Sequence, residues 1–438
     1  MRRALERFGA LGFALAMLVV FSPAADGRRW TCEERPTHPR CTTTTTGATT
    51  TTTTTTTTAP ATTTTTTGVP TACVGTTVTP ADDVQTVLNA HPEGTTFCFD
   101  PGTYRTGFVR PRSNQRLIAA IPRTVVFTGD NLRAGGIVGS GGDNGQHDVT
   151  VDGLIVRDYR QDTFPSWPRS GIQMGWRWTV TNVEVTGIAH VGLTVNDGAR
   201  LSRSWVHDNG RYGIAGGPTR DVEIADTDIS WNNRGFYAIG DAGGTKIVGS
   251  SPGTYGVRWL RNHVHHNFGH GLWSDWAVKD VLYADNLVEA NTHIGIFHEA
   301  SADARIVGNI LRGNGTAIPA GSSLWHGGEI HLNDSKNVEI ADNTIDASWN
   351  AVTLVDIDRG STIFGTLETV NVWVHDNTIT LAGQVGLVGS RAHVYAPGVN
   401  RFESNRYVTF GQRAWEWQGA RTWAEWQALG HDQTGTLD

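Results

Sequence analysis

The feature that most constrains this chain is a repeat. From Asp148 onward, short apolar segments alternate with asparagine and glycine in one recurring frame. The first asparagine of a unit is Asn262, Asn286, Asn309, Asn343 or Asn377, each two residues before Val264, Val288, Leu311, Ile345 or Ile379. A second asparagine follows three residues after the aliphatic in several units, as Asn209, Asn232, Asn267, Asn291 and Asn314. Glycine-led strands begin at Gly171, Gly192, Gly213, Gly235, Gly271, Gly295, Gly328 and Gly386, and the first three gaps are 21, 21 and 22 residues (192 − 171, 213 − 192, 235 − 213). Strands of about five residues, turned every ~7 residues, give three short strands per coil of a solenoid. Stacked coils align parallel strands about 4.8 Å apart. Asparagine tolerates left-handed turn geometry, and like asparagines in adjacent coils can bond in a ladder, so these columns read as structural. A leucine-rich repeat has a similar period but needs leucine columns and helical backs, which the sequence lacks.

What precedes the repeat is organised differently. Arg2 and Arg3, an apolar run from Phe8 to Phe21, and Ser22-Pro23-Ala24-Ala25 read as a secretory signal peptide over residues 1–25. The expectation is a secreted, extracellular protein with no stable membrane insertion after cleavage. Residues 26–41 form a short segment closed by a disulfide, and residues 42–70 a Thr-rich linker, with 21 threonines between 42 and 67. An even count of four cysteines fits an oxidising compartment. Four cysteines allow three pairings; the linker between the couples favours Cys32 with Cys41 and Cys73 with Cys98. No His/Cys spacing matches a zinc motif, and His207, His263, His265 and His266 read as surface or ladder residues. The net charge of −7 offers no basic face for nucleic acid.

The repeat domain is expected over 71–410. Thr79-Pro80-Ala81-Asp82 resembles a helix start, and Val84, Val87 and Leu88 form one apolar stripe. Thr95–Phe99 reads as a strand and Asp100–Tyr104 as a turn. Three long gaps, 241–256, 315–327 and 356–368, lengthen individual coils and are expected to build a binding face. Over 411–438, Thr422-x-x-Glu425 is a capping box ahead of Trp423, Trp426 and Leu429, read as a C-terminal cap.

The coil pattern over 148–395, with the short N-terminal helix and the Trp-rich tail, resembles the pectate-lyase-like superfamily of right-handed parallel β-helices. The run Gly243-Gly244-Thr245-Lys246, Gly271-Leu272-Trp273-Ser274-Asp275 and Gly295-Ile296-Phe297-His298-Glu299 is similar to secreted right-handed β-helix repeat proteins. The resemblance implies an all-β, right-handed, single-stranded parallel β-helix with three short strands per coil and a cap at each end. It also implies a polysaccharide as partner, acted on by a lyase, an epimerase or a hydrolase, or merely bound, as by adhesins and tailspikes.

The two hexads at Gly271 and Gly295 fix the candidate site. Side chains alternate along a strand, so if Leu272 and Ile296 point inward, Ser274 and His298 do too, while Trp273, Phe297, Asp275 and Glu299 point out. The next coil adds His331 beside Phe297 and Asn333 beside Glu299. Tyr237, Trp273 and Phe297 are expected to form an aromatic column that binds substrate, with Trp325 on the neighbouring long loop. Two adjacent carboxylates repel unless a cation compensates. Lys246 is one candidate, on the loop at 241–256; calcium, which takes oxygen ligands, is the other, held by Asp275 and Glu299. A lyase or epimerase would take the C5 proton of a uronate with Lys246 or His331 as base. A hydrolase would use Asp275 and Glu299 themselves. The protein is expected to be a monomer.

Overall fold

The computed structural model describes residues 73–140, 145–160, 170–317, 327–409 and 414–438. The signal peptide, the 26–41 segment with Cys32 and Cys41, the Thr-rich linker and Trp325 lie outside the described residues. Pro70–Asp438 forms one compact unit.

Within it, three long sheets run the length of a solenoid, and neighbouring strands in each sheet come from successive coils. One coil places Thr254–Leu260 in the first sheet, His263–His265 in the second and Leu272–Asp275 in the third. The next places Val278–Ala284, Leu287–Glu289 and Ile296–Glu299 beside them, in parallel. Inward residues stack as aliphatic columns, such as Leu272, Ile296, Ile330 and Val352 in the third sheet. This is the right-handed parallel β-helix with three strands per coil.

Asparagine ladders hold the corners. Asn262, Asn286, Asn309, Asn343, Asn377 and Asn405 each accept at Oδ1 or donate at Nδ2 to the next, at 2.9–3.0 Å. A second ladder joins Asn209, Asn232, Asn267, Asn291 and Asn314 at 2.8–3.0 Å. The glycines of the repeat serve these ladders. A Cβ at Gly295 would sit 2.8 Å from the Asn314 amide nitrogen and 2.6 Å from the Glu329 carbonyl; one at Gly271 would sit 3.0 Å from the Asn291 amide. The residue is glycine for close approach rather than for a turn.

Each ladder ends on an acid. A last rung needs only to accept, because no further rung follows. Asp432 accepts from the Asn405 backbone and side chain, and also from Trp426 Nε1 and Tyr407 Oη. Glu329 accepts from the Asn314 backbone N–H at 3.0 Å and from its side-chain amide. Burial pushes Glu329 up to about 8, against the two Asn314 donors that favour its ionised form. Its folded pKa thus exceeds the unfolded value, so the native state binds more protons and stability falls as pH rises toward 8. The buried His190, His298 and His431, lowered to about 4, 3 and 4 chiefly by burial, act in the opposite sense but only below about pH 6.5. Between pH 6.5 and 8, denaturant unfolding should therefore lose about 2 kcal/mol through Glu329, and Glu329→Gln should remove that loss. An equal slope in both proteins would refute the assignment.

Both caps are present. The N-terminal helix is Val84–Ala90, and its N-cap is Asp83, whose side chain accepts from Thr86 N–H. Thr79 and Asp82 instead bond to each other just upstream, so the helix starts later than its Thr-Pro pair suggests. Cys73 is bonded to Cys98. The C-terminal helix Trp423–Ala428 carries the Thr422–Glu425 capping box and buries Trp426 against Phe402.

Two inserts differ from expectation. No strand starts at Gly235; the third-sheet strand of that coil is Gly243–Val248. The extra residues precede this strand, and Asn233 pins them by accepting from Tyr237 N–H. The 356–368 insert includes an antiparallel hairpin, Ser361–Thr362 with Gly365–Thr366. It folds back over earlier coils: Phe364 packs edge-on against Tyr255 at 5.3 Å.

Candidate functional site

The third sheet brings the two hexads into register, with Asp275 paired to Glu299, Trp273 to Phe297 and Ser274 to His298. The next coil sets His331 beside Phe297 and Asn333 beside Glu299. The preceding coil sets Val248 beside Asp275 and Ile247 beside Ser274, which puts Lys246 next to Trp273. Lys246 is thus a strand residue, not a loop residue, and it holds the place in the column expected for Tyr237. Tyr237 lies off the strand, 42% exposed, against His190 and Arg211.

The outward charges form a quartet. Lys246 Nζ lies 3.0 Å from Asp275 Oδ2 and 3.4 Å from the centre of the Trp273 ring. Arg359 Nη1 donates to Glu299 Oε1 at 2.7 Å, and Trp273 Nε1 donates to Glu299 Oε2 at 3.2 Å. Arg359 comes from the root of the folded-back insert, 60 residues from Glu299 in sequence. It is oriented by Asp334, to which its Nε donates at 2.7 Å. Asp334 in turn lies near Arg391, which binds Asp356. Burial, and then the Asp275 charge beside it, hold Glu299 above the usual carboxylate range.

The compensation expected between Asp275 and Glu299 therefore comes from Lys246 on one side and Arg359 on the other. Three of the four carboxylate oxygens already face nitrogen donors. Calcium takes six to eight oxygen ligands, a set this arrangement does not supply.

The aromatic column is not an open platform. Trp273 and Phe297 stack on each other at 5.4 Å and 15°, with Ile294 beside them, and all three are buried. His331 is also buried, its Nδ1 2.6 Å from Thr353 Oγ1 and its ring edge-on to Phe297 at 5.0 Å. In register it is Asn333, two residues further along the strand, and not His331 that stands beside Glu299. Asn333 is buried next to Glu299 in register. Inside the coil, His298 faces Tyr283 Oη at 3.4 Å and Ser274 accepts from the same hydroxyl at 2.7 Å. Burial lowers His298 to about 3, so it is a neutral core residue.

What solvent reaches is the charged rim: the side chains of Lys246, Asp275, Glu299 and Arg359 are 12, 16, 14 and 26% exposed. Beside Asp275 a groove is lined by Ser250, Ser251, Trp276, Ala277, Ser361 and Ile363. Trp276 is exposed there. Sequence reasoning missed both Arg359 and Trp276. The Trp directly after the acid of the first hexad was the available signal for Trp276; Arg359 had none beyond lying in a long insert.

No curated protein matches the chain. The family described as "Right handed beta helix region" matches residues 170–328. Among solved structures, a mannuronan C-5 epimerase A-module of Azotobacter vinelandii aligns over 81% of this chain and 93% of its own, with TM-score 0.52 and 16% identity. The catalytic unit of an α-1,3-glucanase of Streptomyces thermodiastaticus aligns over 80% of this chain and 68% of its own, with TM-score 0.51 and 15% identity. No helix among the described residues is long and apolar enough to cross a membrane. Its coil register and its ladders make the chain a right-handed parallel β-helix, and its central coils match the right-handed β-helix family over residues 170–328.

Proposed function

We propose that this protein is an exported enzyme that acts on a uronate-containing polysaccharide, as a lyase or a C5 epimerase, on the outer face of the third sheet. The observation that carries the proposal is the Lys246–Asp275–Glu299–Arg359 quartet. Abstraction of a C5 proton needs a base and cations that neutralise the neighbouring carboxylate as it becomes an enolate. Glu299, with its raised pKa, is the base. A basicity closer to neutral pH suits proton transfer. Arg359 and Lys246 are the cations, and Asp275 holds Lys246 in place. The electron pair released at C5 moves into the carboxylate. It then either expels the C4 oxygen, which leaves as a hydroxyl with a proton taken from water, giving a lyase, or C5 takes a proton from water on the opposite face, giving an epimerase. Trp276 in the adjacent groove, rather than the buried Trp273, is the aromatic face free to stack on a sugar ring.

One observation favours a second reading, glycoside hydrolysis. Asp275 and Glu299 are in-register neighbours on strands about 4.8 Å apart, a spacing nearer that of retaining than of inverting glycosidases. Products separate the readings. The exported chain is incubated with alginate, pectate and neutral glucans, and three signals are followed: ultraviolet absorbance of unsaturated ends, reducing ends, and exchange of the C5 proton with solvent deuterium. Unsaturated ends or C5 exchange on a uronate polymer support the proposal. Reducing ends alone support hydrolysis. Binding with none of the three signals would leave a carbohydrate-binding solenoid and overturn the enzymatic reading.

A further inference from the structure

A different cluster lies on the second sheet. His263-Val264-His265 is a strand, so its two histidines project from the same outer face. The strand of the preceding coil pairs Asp228 with His263 and Ser230 with His265. As a result, Asp228, His263 and His265 each offer one ligand atom within 4.8 Å of the others. Asp228 Oδ2 is 3.0 Å from His265 Nε2 and 3.6 Å from His263 Nδ1.

The atoms that do not converge are each held by a further group. His263 Nε2 lies 2.8 Å from Glu289 Oε1, and Glu289 Oε2 accepts from Arg312 Nε at 2.6 Å. His265 Nδ1 lies 2.8 Å from His266 Nδ1. Asp228 Oδ1 accepts from Ser230 Oγ at 2.6 Å, and Ser230 Oγ accepts from Trp205 Nε1 at 3.3 Å. In metal sites a ligating histidine hands its second ring N–H to a carboxylate or similar acceptor, which fixes tautomer and aim. Here that outer layer is complete for both histidines and for the aspartate. It leaves His263 Nδ1 and His265 Nε2, on rings stacked 4.0 Å apart, both beside Asp228 Oδ2.

We propose that Asp228, His263 and His265 bind a divalent transition metal, with Zn²⁺ the first choice. The ligand–ligand distances of 3.0 and 3.6 Å suit a tetrahedral ion whose N and O bonds are about 2.0–2.1 Å. A mixed imidazole and carboxylate set selects such metals over calcium. Three protein ligands on a partly exposed face leave at least one position for water or a ligand, the form of open rather than closed zinc sites. The ion would also tie two coils together, since Asp228 belongs to one and the histidines to the next. The site is separate from the charged quartet on the third sheet and does not rest on the function proposed there.

The test uses the whole chain at neutral pH. Titration with Zn²⁺ should saturate at one ion per chain, and Co²⁺ should give a visible ligand-field band of nitrogen and oxygen ligation without a thiolate band. His263→Ala/His265→Ala should weaken Zn²⁺ binding at least 100-fold, and Asp228→Asn at least 10-fold. Zn²⁺ should raise the unfolding midpoint of the native chain but not of the double variant. His375→Ala, on another sheet, should bind Zn²⁺ as the native chain does. Absence of Zn²⁺ uptake and of a Co²⁺ band in the native chain overturns the proposal, as does unchanged binding in the double variant, equal loss in His375→Ala, or Ca²⁺ competing on equal terms. The native-chain measurements decide the question even if a variant fails to fold.

Discussion

Asn286→Ala is expected to lower stability by about 4 kcal/mol, read as a shift of the denaturant midpoint. The residue sits mid-ladder. Its Oδ1 accepts from both the backbone N–H and the Nδ2 of Asn262, at 2.9 and 3.0 Å. Its Nδ2 donates to Trp259 O and to Asn309 Oδ1, each at 2.9 Å. Alanine leaves two donors and two acceptors of neighbouring coils without their partner, in a place water does not reach. A stranded buried polar group costs about 1–3 kcal/mol. Asn262 Nδ2 keeps Ile224 O at 2.9 Å, Asn309 Oδ1 retains its own backbone donor, Asn286 N–H, at 3.0 Å, and Trp259 O loses one bond, so the stranded Asn262 N–H and three lost bonds of about 1 kcal/mol each make up the sum. Asn286→Asp keeps the acceptor and loses the donor, with a charge that burial disfavours. It should fall between wild type and alanine at acid pH, where it is neutral, and approach alanine at neutral pH. If alanine cost less than 1 kcal/mol, the ladder would be decoration on coils held by their aliphatic stacks.

The ladders and the hexad pairing were legible because they are local. Each rung repeats one residue type at one frame position. The coils carrying Asp275 and Glu299 differ by 24 residues (299 − 275), with no insert between the hexads, so their neighbourhood follows from counting. Inserts break that counting. Gly235-Phe236-Tyr237 and Gly243-Gly244-Thr245 both satisfy a glycine-led pattern. The structure uses the second, because the Asn267 amide lies against the chain at Gly244, where a Cβ would come within 2.8 Å of its nitrogen and only glycine fits. Moving the strand by one insert exchanges Tyr237 for Lys246 and turns an aromatic column into a cation beside an acid. Arg359 was hidden for the same reason. Its contact with Glu299 depends on how a thirteen-residue insert (356–368) folds back, and neither spacing nor alternation records that. The histidines of the second sheet were visible as His-x-His on a strand, but their meaning depends on Asp228, 35 residues earlier (263 − 228) across that same Gly235–Gly243 insert.

Glu299→Gln is expected to lower kcat on a uronate polymer by about 10²–10⁴-fold, the range for loss of a positioned proton-transfer group. The fold should survive. Glutamine keeps the side-chain shape, Arg359 retains Asp334, and Lys246 retains Asp275. The pH profile distinguishes a proton carrier from a residue that merely fills space. Activity requires Glu299 ionised, so kcat/KM should rise with pH along an acid limb displaced upward from the ordinary carboxylate value, because burial and Asp275 both raise Glu299. Asp275→Asn removes the negative neighbour and should move that limb down. Arg359→Gln removes the cation that lowers Glu299 and should move the limb up. Opposite movements in these two variants cannot arise from general loosening of the groove, which would reduce activity without a signed shift. A limb that stays fixed in both, or a Glu299→Gln variant of full activity, would take proton transfer away from Glu299 and leave the quartet as a brace between the sheet and its insert.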